Sequence, residues 1–402
     1  MTKLTSRKDV NMLALLLAVT YTISYITRIN YGAVILEMER ATGFSKSLLS
    51  MALTGSFITY GVGQIISGIC GDIFPPKKLV SLGLVLTVSM NILIPICNNP
   101  YQMLVVWCVN GFAQSFMWPP IVKLMTELLS SEDYKKVSAK VSWGCSFGTI
   151  LVYLVSPLLI SLRGWKSVFV FSAICGICML FIWNRYSYEI NTSERKSSIS
   201  NKGNLRILCT PILVCIMVAI ILQGSLRDGI TTWMPSYIAE TYNISSIISI
   251  LTGVVLPIFG LLCIQTATVL YRKVLKNPLV CAGVFFAIGA VSALSLRIIM
   301  GENAALSVVF SALIAGCMHG VNVILICMIP HFFEKYGIVS TVSGVLNSCT
   351  YIGSAISTYG IAAISEKFGW SYTLTIWCLI ATLGTFLCLI CIKPWKKNFN
   401  IK

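Results

Sequence analysis

Twelve separate stretches of this chain are apolar over about 20 residues each, and that repetition restricts the fold more than any other feature. They fall near 11–36, 47–70, 78–97, 101–127, 137–161, 165–184, 206–238, 244–270, 278–299, 304–331, 338–364 and 370–392. A helix needs about 20 apolar residues to cross the hydrocarbon core of a bilayer. The spacing therefore predicts an all-α membrane protein with twelve transmembrane helices. Composition agrees: 56% of the 402 residues are hydrophobic and 11% are charged, where soluble domains run near a quarter charged. The first apolar run lacks a small-residue cleavage site and is expected to stay as a span.

The formal net charge of +16 would suggest nucleic acid in a soluble chain. Here the charge follows the loops instead. With the N-terminus on the cytoplasmic side, 21 of the 30 Lys and Arg fall in cytoplasmic segments, 6 on the opposite side and 3 inside spans. That bias predicts cytoplasmic N- and C-termini and an even number of spans; the expected location is the plasma membrane. The charged stretch 185–205 divides the chain into bundles at 1–184 and 206–402, six spans each. Sixteen cysteines lie scattered, many within apolar runs, with neither metal-ligand spacing nor a disulfide ladder. They read as small packing residues.

The three cations inside spans are Arg28, Lys123 and Arg227. An arginine at the centre of an apolar helix costs roughly 3 kcal/mol on insertion scales, so it is a functional-site hypothesis by default. Arg28 lies in YTISYITRINYG and shares a helical face with Tyr21, Ser24, Tyr25, Tyr31 and Gly32. Arg227 follows 199 residues later, close to half the chain length, in the first span of the second bundle. Six spans, a cytoplasmic loop and six more resemble the layout of the major facilitator superfamily. In that fold the two halves are pseudo-symmetric and substrate binds between them near mid-depth. The resemblance implies that the two arginines face one cavity. Gly68-Ile-Cys-Gly-Asp72 followed by Lys77 and Lys78 is similar to the superfamily's gating signature after span 2.

Several fragments together resemble the organophosphate:phosphate antiporter family, typified by glycerol-3-phosphate and hexose-6-phosphate transporters. They are Tyr25-Ile-Thr-Arg28-Ile-Asn30-Tyr31 in span 1, Trp118-Pro119-Pro120-Ile-Val-Lys123 in span 4 and Val141-Ser142-Trp143 in span 5. Span 7 adds Leu226-Arg227-Asp228-Gly229-Ile230-Thr-Thr-Trp233-Met-Pro235-Ser-Tyr237, and Phe368-Gly369-Trp370 follows span 11. The resemblance implies that Arg28 and Arg227 bind a phosphate group, a role suited to the planar, permanently charged guanidinium fork. The implied ligands are a small phosphorylated organic anion and inorganic phosphate, exchanged by alternating access. The chain departs from the family where a span 2 lysine and a span 5 histidine are common: it carries Gln64 and Phe147.

Tyr25, Tyr31, Gln64, Trp118, Trp143, His319 and Asn322 complete the candidate substrate-binding set. Lys123 is expected to snorkel or pair with Asp72 or Glu127, and His319 to be a packing histidine ahead of a proton relay. Trp118-Pro119-Pro120 reads as a helix kink. Asp228 lies about 100° round the helix from Arg227, which makes it a poor expected partner. No phosphate-binding loop, dinucleotide fingerprint, metal cluster or catalytic triad occurs in the sequence, so an enzyme, a cofactor, ATP-driven transport and nucleic-acid binding are not expected. Membrane lipid is the expected surround, and the monomer the expected state. Two other readings stand beside exchange: a proton-coupled carboxylate symporter using Asp228 or His319, and a non-transporting hexose-phosphate sensor of the same fold.

Overall fold

The computed structural model describes residues 3–4, 6–189, 210–336 and 339–399. Among these there is no strand. The first unit, Met1–Ser198, contains α1 (Arg7–Thr42), α2 (Lys46–Ile73), α3 (Pro76–Leu93, continued by the turn Ile94–Ile96), α4 (Pro100–Gln114 and Trp118–Leu128), α5 (Ser131–Arg163) and α6 (Lys166–Tyr186). The second, Ile199–Lys402, contains α7 (Pro211–Tyr242), α8 (Ser246–Thr252 and Val255–Lys273), α9 (Pro278–Ile298) and α10 (Ala304–Asn322, continued by the π-helical turn Val323–Met328). Its helix Val339–Phe399 is broken at Gly369, whose φ of 79° is left-handed, and so supplies α11 (339–368) and α12 (370–399). The chain is thus all-helical with twelve span-length elements among the described residues. Most of the central loop lies outside the described residues.

Ten segments are long and apolar enough, taken whole, to cross a bilayer. One of them, Gly344–Lys397, holds both α11 and α12. The remaining span, α4, is divided by the tight turns at 115–117 into pieces of 15 and 11 residues. The interruption falls directly before Trp118-Pro119-Pro120, where the prolines occupy the first turn of the new piece. Proline lacks the N–H that a helix interior needs but fits a helix start.

Helix ends follow from short polar side chains. Ser45, Asn99 and Ser130 in the first unit, and Ser245, Asn277 and Asn303 in the second, each accept a hydrogen bond from a first-turn backbone N–H. Ser45 caps α2 and Ser245 caps α8, its counterpart by position in the unit. Gly43 ends α1 in the left-handed conformation that suits glycine.

Both units pair their helices in one pattern. In the first, α1 lies against α5, α2 against α4 and α3 against α6; in the second, α7 lies against α11, α8 against α10 and α9 against α12. Glycines set the closeness of several pairs. A Cβ on Gly144 or Gly148 of α5 would meet the carbonyl of Ala18 or Thr22 on α1 within 2.7 Å. On the α7–α11 pair, a Cβ on Gly353 would stand 2.0 Å from the Ile221 carbonyl, and one on Gly224 would stand 2.2 Å from that of Thr350. Without a hydrophobic force between helices in lipid, such backbone contact supplies the packing. The outer faces carry exposed Leu15, Ile58, Val105, Leu158 and Phe181 in one unit and Leu262, Val291, Ile356, Leu383 and Phe386 in the other. Apolar surface of this extent suits lipid rather than water.

Two glycines on α11 test this packing. Gly353→Ala is expected to lower thermal stability in detergent by about 1–3 kcal/mol, through overpacking against α7. Gly360→Ala, whose Cβ meets nothing within 4 Å, is expected to leave stability unchanged or raise it by roughly 0.5–1 kcal/mol.

Candidate functional site

Each unit places one arginine near the middle of its first helix. Arg227 falls at the midpoint of α7, and Arg28 lies about 5 Å beyond the midpoint of α1. Their surroundings differ, and each follows from local packing.

Around Arg28 the neighbours are aromatic. Its guanidinium carbon stands over the Tyr60 ring at 4.1 Å from the centroid, with Tyr25 at 5.8 Å and Phe57 at 5.9 Å. Tyr25 comes from α1 itself, while Phe57 and Tyr60 are one turn apart on α2. A cation over an aromatic face is attracted by the ring quadrupole, by about 0.5–2 kcal/mol per contact. The guanidinium carries five N–H donors in one plane. From Tyr25 the aromatic contacts continue to Tyr21 at 5.2 Å and on to Trp118 at 5.0 Å.

The depth and rotation of α1 are set from its other side. The Thr27 carbonyl accepts from Asn91 Nδ2 of α3 at 3.1 Å and from Asn110 Nδ2 of α4 at 3.2 Å. Gln114 Nε2 donates to Thr27 Oγ1 at 3.0 Å. Asn30 Nδ2 donates to Asn91 Oδ1 at 2.7 Å and to Ser172 Oγ of α6 at 3.0 Å. All six residues of this network are buried. Buried amides are costly unless bonded, so the network fixes which residues of α1 face inward. Arg28, Tyr25 and Tyr21 then share another face, within about 60° of one another.

Around Arg227 the neighbour is a carboxylate. Nε donates to Asp228 Oδ1 at 2.7 Å and Nη2 to Asp228 Oδ2 at 2.8 Å, with the two side chains 14% and 17% exposed. This corrects the expectation that Asp228 is poorly placed. The 100° between adjacent positions describes where the Cβ atoms leave the helix, and a long arginine folds back across that angle. Ser354 Oγ of α11 is within donating distance of Asp228 Oδ2 and so adds a second donor to that oxygen. Ser354 reaches it because Gly353 and Gly224 let α11 press against α7; one turn away Ser225 Oγ donates to the Gly353 carbonyl at 3.0 Å.

His319 of α10 packs its ring on Gly260 of α8, where a Cβ would lie 3.3 Å from Cδ2. It is within electrostatic reach of both Arg227 and Asp228. Asn322, half-buried, follows one turn later, just before the π-helical turn Val323–Met328. Such turns occur often at functional sites.

Other candidates are not drawn to these centres. Tyr31 is fully buried, donates to the Leu49 carbonyl at 3.1 Å and packs against Trp107 at 5.0 Å and Phe169 at 6.0 Å. It is a core residue of the first unit, turned away from Arg28 by the polar network on its own side of α1. Trp143 is 49% exposed, on a strip of α5 with Phe147, Leu151, Leu154 and Leu158. Gln64 is half-buried one turn beyond Tyr60, and its Nε2 has no hydrogen-bond partner among the described residues. Lys123 lies one turn before Glu127 on α4, both half-buried. Gly68 is exposed. The Asp72 side chain lies outside what is described, as does that of His331. Sequence reasoning missed Phe57, Tyr60, Asn91, Asn110 and Ser354. The signal for the first two was their spacing on one face of span 2 with Gln64; for the two asparagines it was an amide inside an apolar run.

A family model described as the Major Facilitator Superfamily matches residues 17–358. A probable hexose phosphate transport protein of Chlamydia muridarum is 22% identical over 405 aligned positions, which cover 91% of this chain and 88% of the relative. The membrane sensor protein UhpC of Salmonella typhimurium is 23% identical over 56% of this chain and 55% of its own length. Among solved structures, a bacterial homologue of the human lysosomal transporter Spinster superposes with a TM-score of 0.84 at 12% identity, covering 96% of this chain and 97% of that one. The chain belongs to the major facilitator superfamily, and these relatives agree with its organophosphate:phosphate antiporter motifs. It is a multi-pass membrane transporter fold, not an enzyme.

The Arg28 surroundings carry a direct test. Tyr60→Phe keeps the ring and is expected to leave anion binding within about twofold of wild type, while Tyr60→Leu is expected to weaken it by roughly 3- to 30-fold. Titration of inorganic phosphate into purified protein reads both.

Proposed function

We propose that this superfamily member carries a small phosphorylated organic anion across the plasma membrane by alternating access, in exchange for inorganic phosphate. One observation carries the reading. Each unit holds a guanidinium near mid-helix depth, and one of the two, Arg227, grips an oxyanion group with two parallel hydrogen bonds. That is the geometry with which arginine holds phosphate. The relative named for hexose phosphate transport, matched over 91% of the chain, gives the ligand its class.

In this fold one repeat rocks against the other around a site at the repeat interface. On that cycle each half would deliver one fork. A tetrahedral dianion can accept both, and it offsets the repulsion that two like charges would otherwise feel. Tyr25 and Tyr60 beside Arg28, and His319 and Asn322 of α10, are proposed to shape the site around the organic moiety, with Gln64 offering a donor to a hydroxyl or phosphate oxygen. Trp118 supports Tyr21 and Tyr25 from behind. Trp143 is kept as a proposed contact on the exposed strip of α5. Gly68, Asp72 and Lys123 are proposed to act at the membrane edge during gating. The distribution of Lys and Arg supports a cytoplasmic location for both termini.

The sensor reading has its own observation, the match to UhpC. Proteoliposomes separate the two. Exchange predicts that phosphate trapped inside accelerates uptake of labelled phosphate or sugar phosphate; a sensor binds the same anions with no flux. Arg28→Lys and Arg227→Lys keep the charge but lose the fork, and each is expected to weaken binding by at least roughly tenfold and to reduce uptake in step. Unchanged uptake by both variants would remove the site assignment.

A further inference from the structure

We infer that Asp228 is a surrogate ligand: a tethered carboxylate that occupies the Arg227 fork when no anion is bound and is displaced by one that is. The inference rests on the reading of Arg227 as an anion-binding residue and deepens it.

The carboxylate sits where an arriving oxyanion would sit. Its two oxygens take Nε and Nη2, the side edge of the guanidinium, in the parallel arrangement that arginine offers to a phosphate. Substrate and Asp228 therefore compete for the same donors. The competitor is joined to Arg227 through one peptide bond, so it returns whenever the anion leaves, and the fork never stays charged and bare at mid-helix depth. An uncompensated charge in that environment is the costly state.

Displacement does not strand the carboxylate. Ser354 Oγ of α11 also reaches Oδ2, the oxygen that accepts from Arg227 Nη2, so Asp228 keeps one donor when the guanidinium departs. That hydroxyl is delivered by the Gly224 and Gly353 contact, which no side chain larger than hydrogen permits. The pair is also partly exposed rather than sealed in apolar core, with His319 of α10 within electrostatic reach. Arg28 is arranged otherwise: the contacts described for its guanidinium include three aromatic rings.

The consequence is an affinity set deliberately low. Binding must replace one set of charge-assisted bonds with another, and release is helped by the returning carboxylate. Removing the competitor should tighten anion binding and slow release.

The test is isothermal titration of inorganic phosphate into the full-length purified protein. Asp228→Asn keeps the volume and removes the charge; Asp228→Ser serves if that variant does not purify monodisperse. The expected result is binding about tenfold tighter than wild type, which is about 1.4 kcal/mol. In the double variant Asp228→Asn with Arg227→Lys the gain should vanish, because it acts through the fork. Binding as weak as wild type, or weaker, in a folded Asp228 variant overturns the inference, and so does a gain that persists without Arg227. Those results leave the transport reading intact as long as wild-type binding still depends on Arg28 and Arg227. Phosphate binding in neither wild type nor variant overturns both together.

Discussion

Holding a permanently charged guanidinium at mid-depth of an apolar bundle is the constraint on which the rest of this molecule depends. Guanidinium does not escape the cost by losing its proton. It must be met by dipoles, rings or an anion, and the two units use different means. The first surrounds Arg28 with Tyr25, Phe57 and Tyr60. The second supplies Asp228 and steadies it with Ser354. Both devices satisfy the charge without burying it beyond reach of a solute, since neither arginine is in the buried class.

Much of the remaining architecture serves that placement. The amides of Asn91, Asn110 and Gln114 converge on Thr27, the residue before Arg28, from α3 and α4. They fix rotation of α1 so that its aromatic face stays on one side and Tyr31 stays in the core. The glycine crossing of α7 on α11 does the corresponding work in the second unit, bringing Ser354 within reach of Asp228. The same helix pairs recur in both units, while the chemistry around the arginines has diverged.

The spans were legible because lipid demands long apolar runs, and hydropathy alone recovers nearly all of them. The arginines were legible because a charge inside such a run is rare. The Trp118-Pro119-Pro120 break followed from proline chemistry. What could not be read was which residues meet the arginines. Tyr60 and Ser354 lie on helices remote in sequence, and helical spacing on α1 or α7 says nothing of them. Spacing also misplaced two residues. Tyr31 lies within about 60° of Arg28 on the helical wheel, yet packing turned it inward. Asp228 lies 100° from Arg227 at Cβ, yet side-chain length closed the gap. One-helix geometry fixes where a side chain begins, and tertiary contact decides where it ends.

The proposed exchange requires that both forks serve one anion. A double-mutant cycle on phosphate affinity, with Arg28→Lys, Arg227→Lys and the pair combined, tests it most directly. If both guanidiniums hold the same anion, the combined variant binds little worse than either alone, because the first loss already disrupts the joint site. Losses that simply add, in free energy, would show two arginines acting independently and would contradict the account.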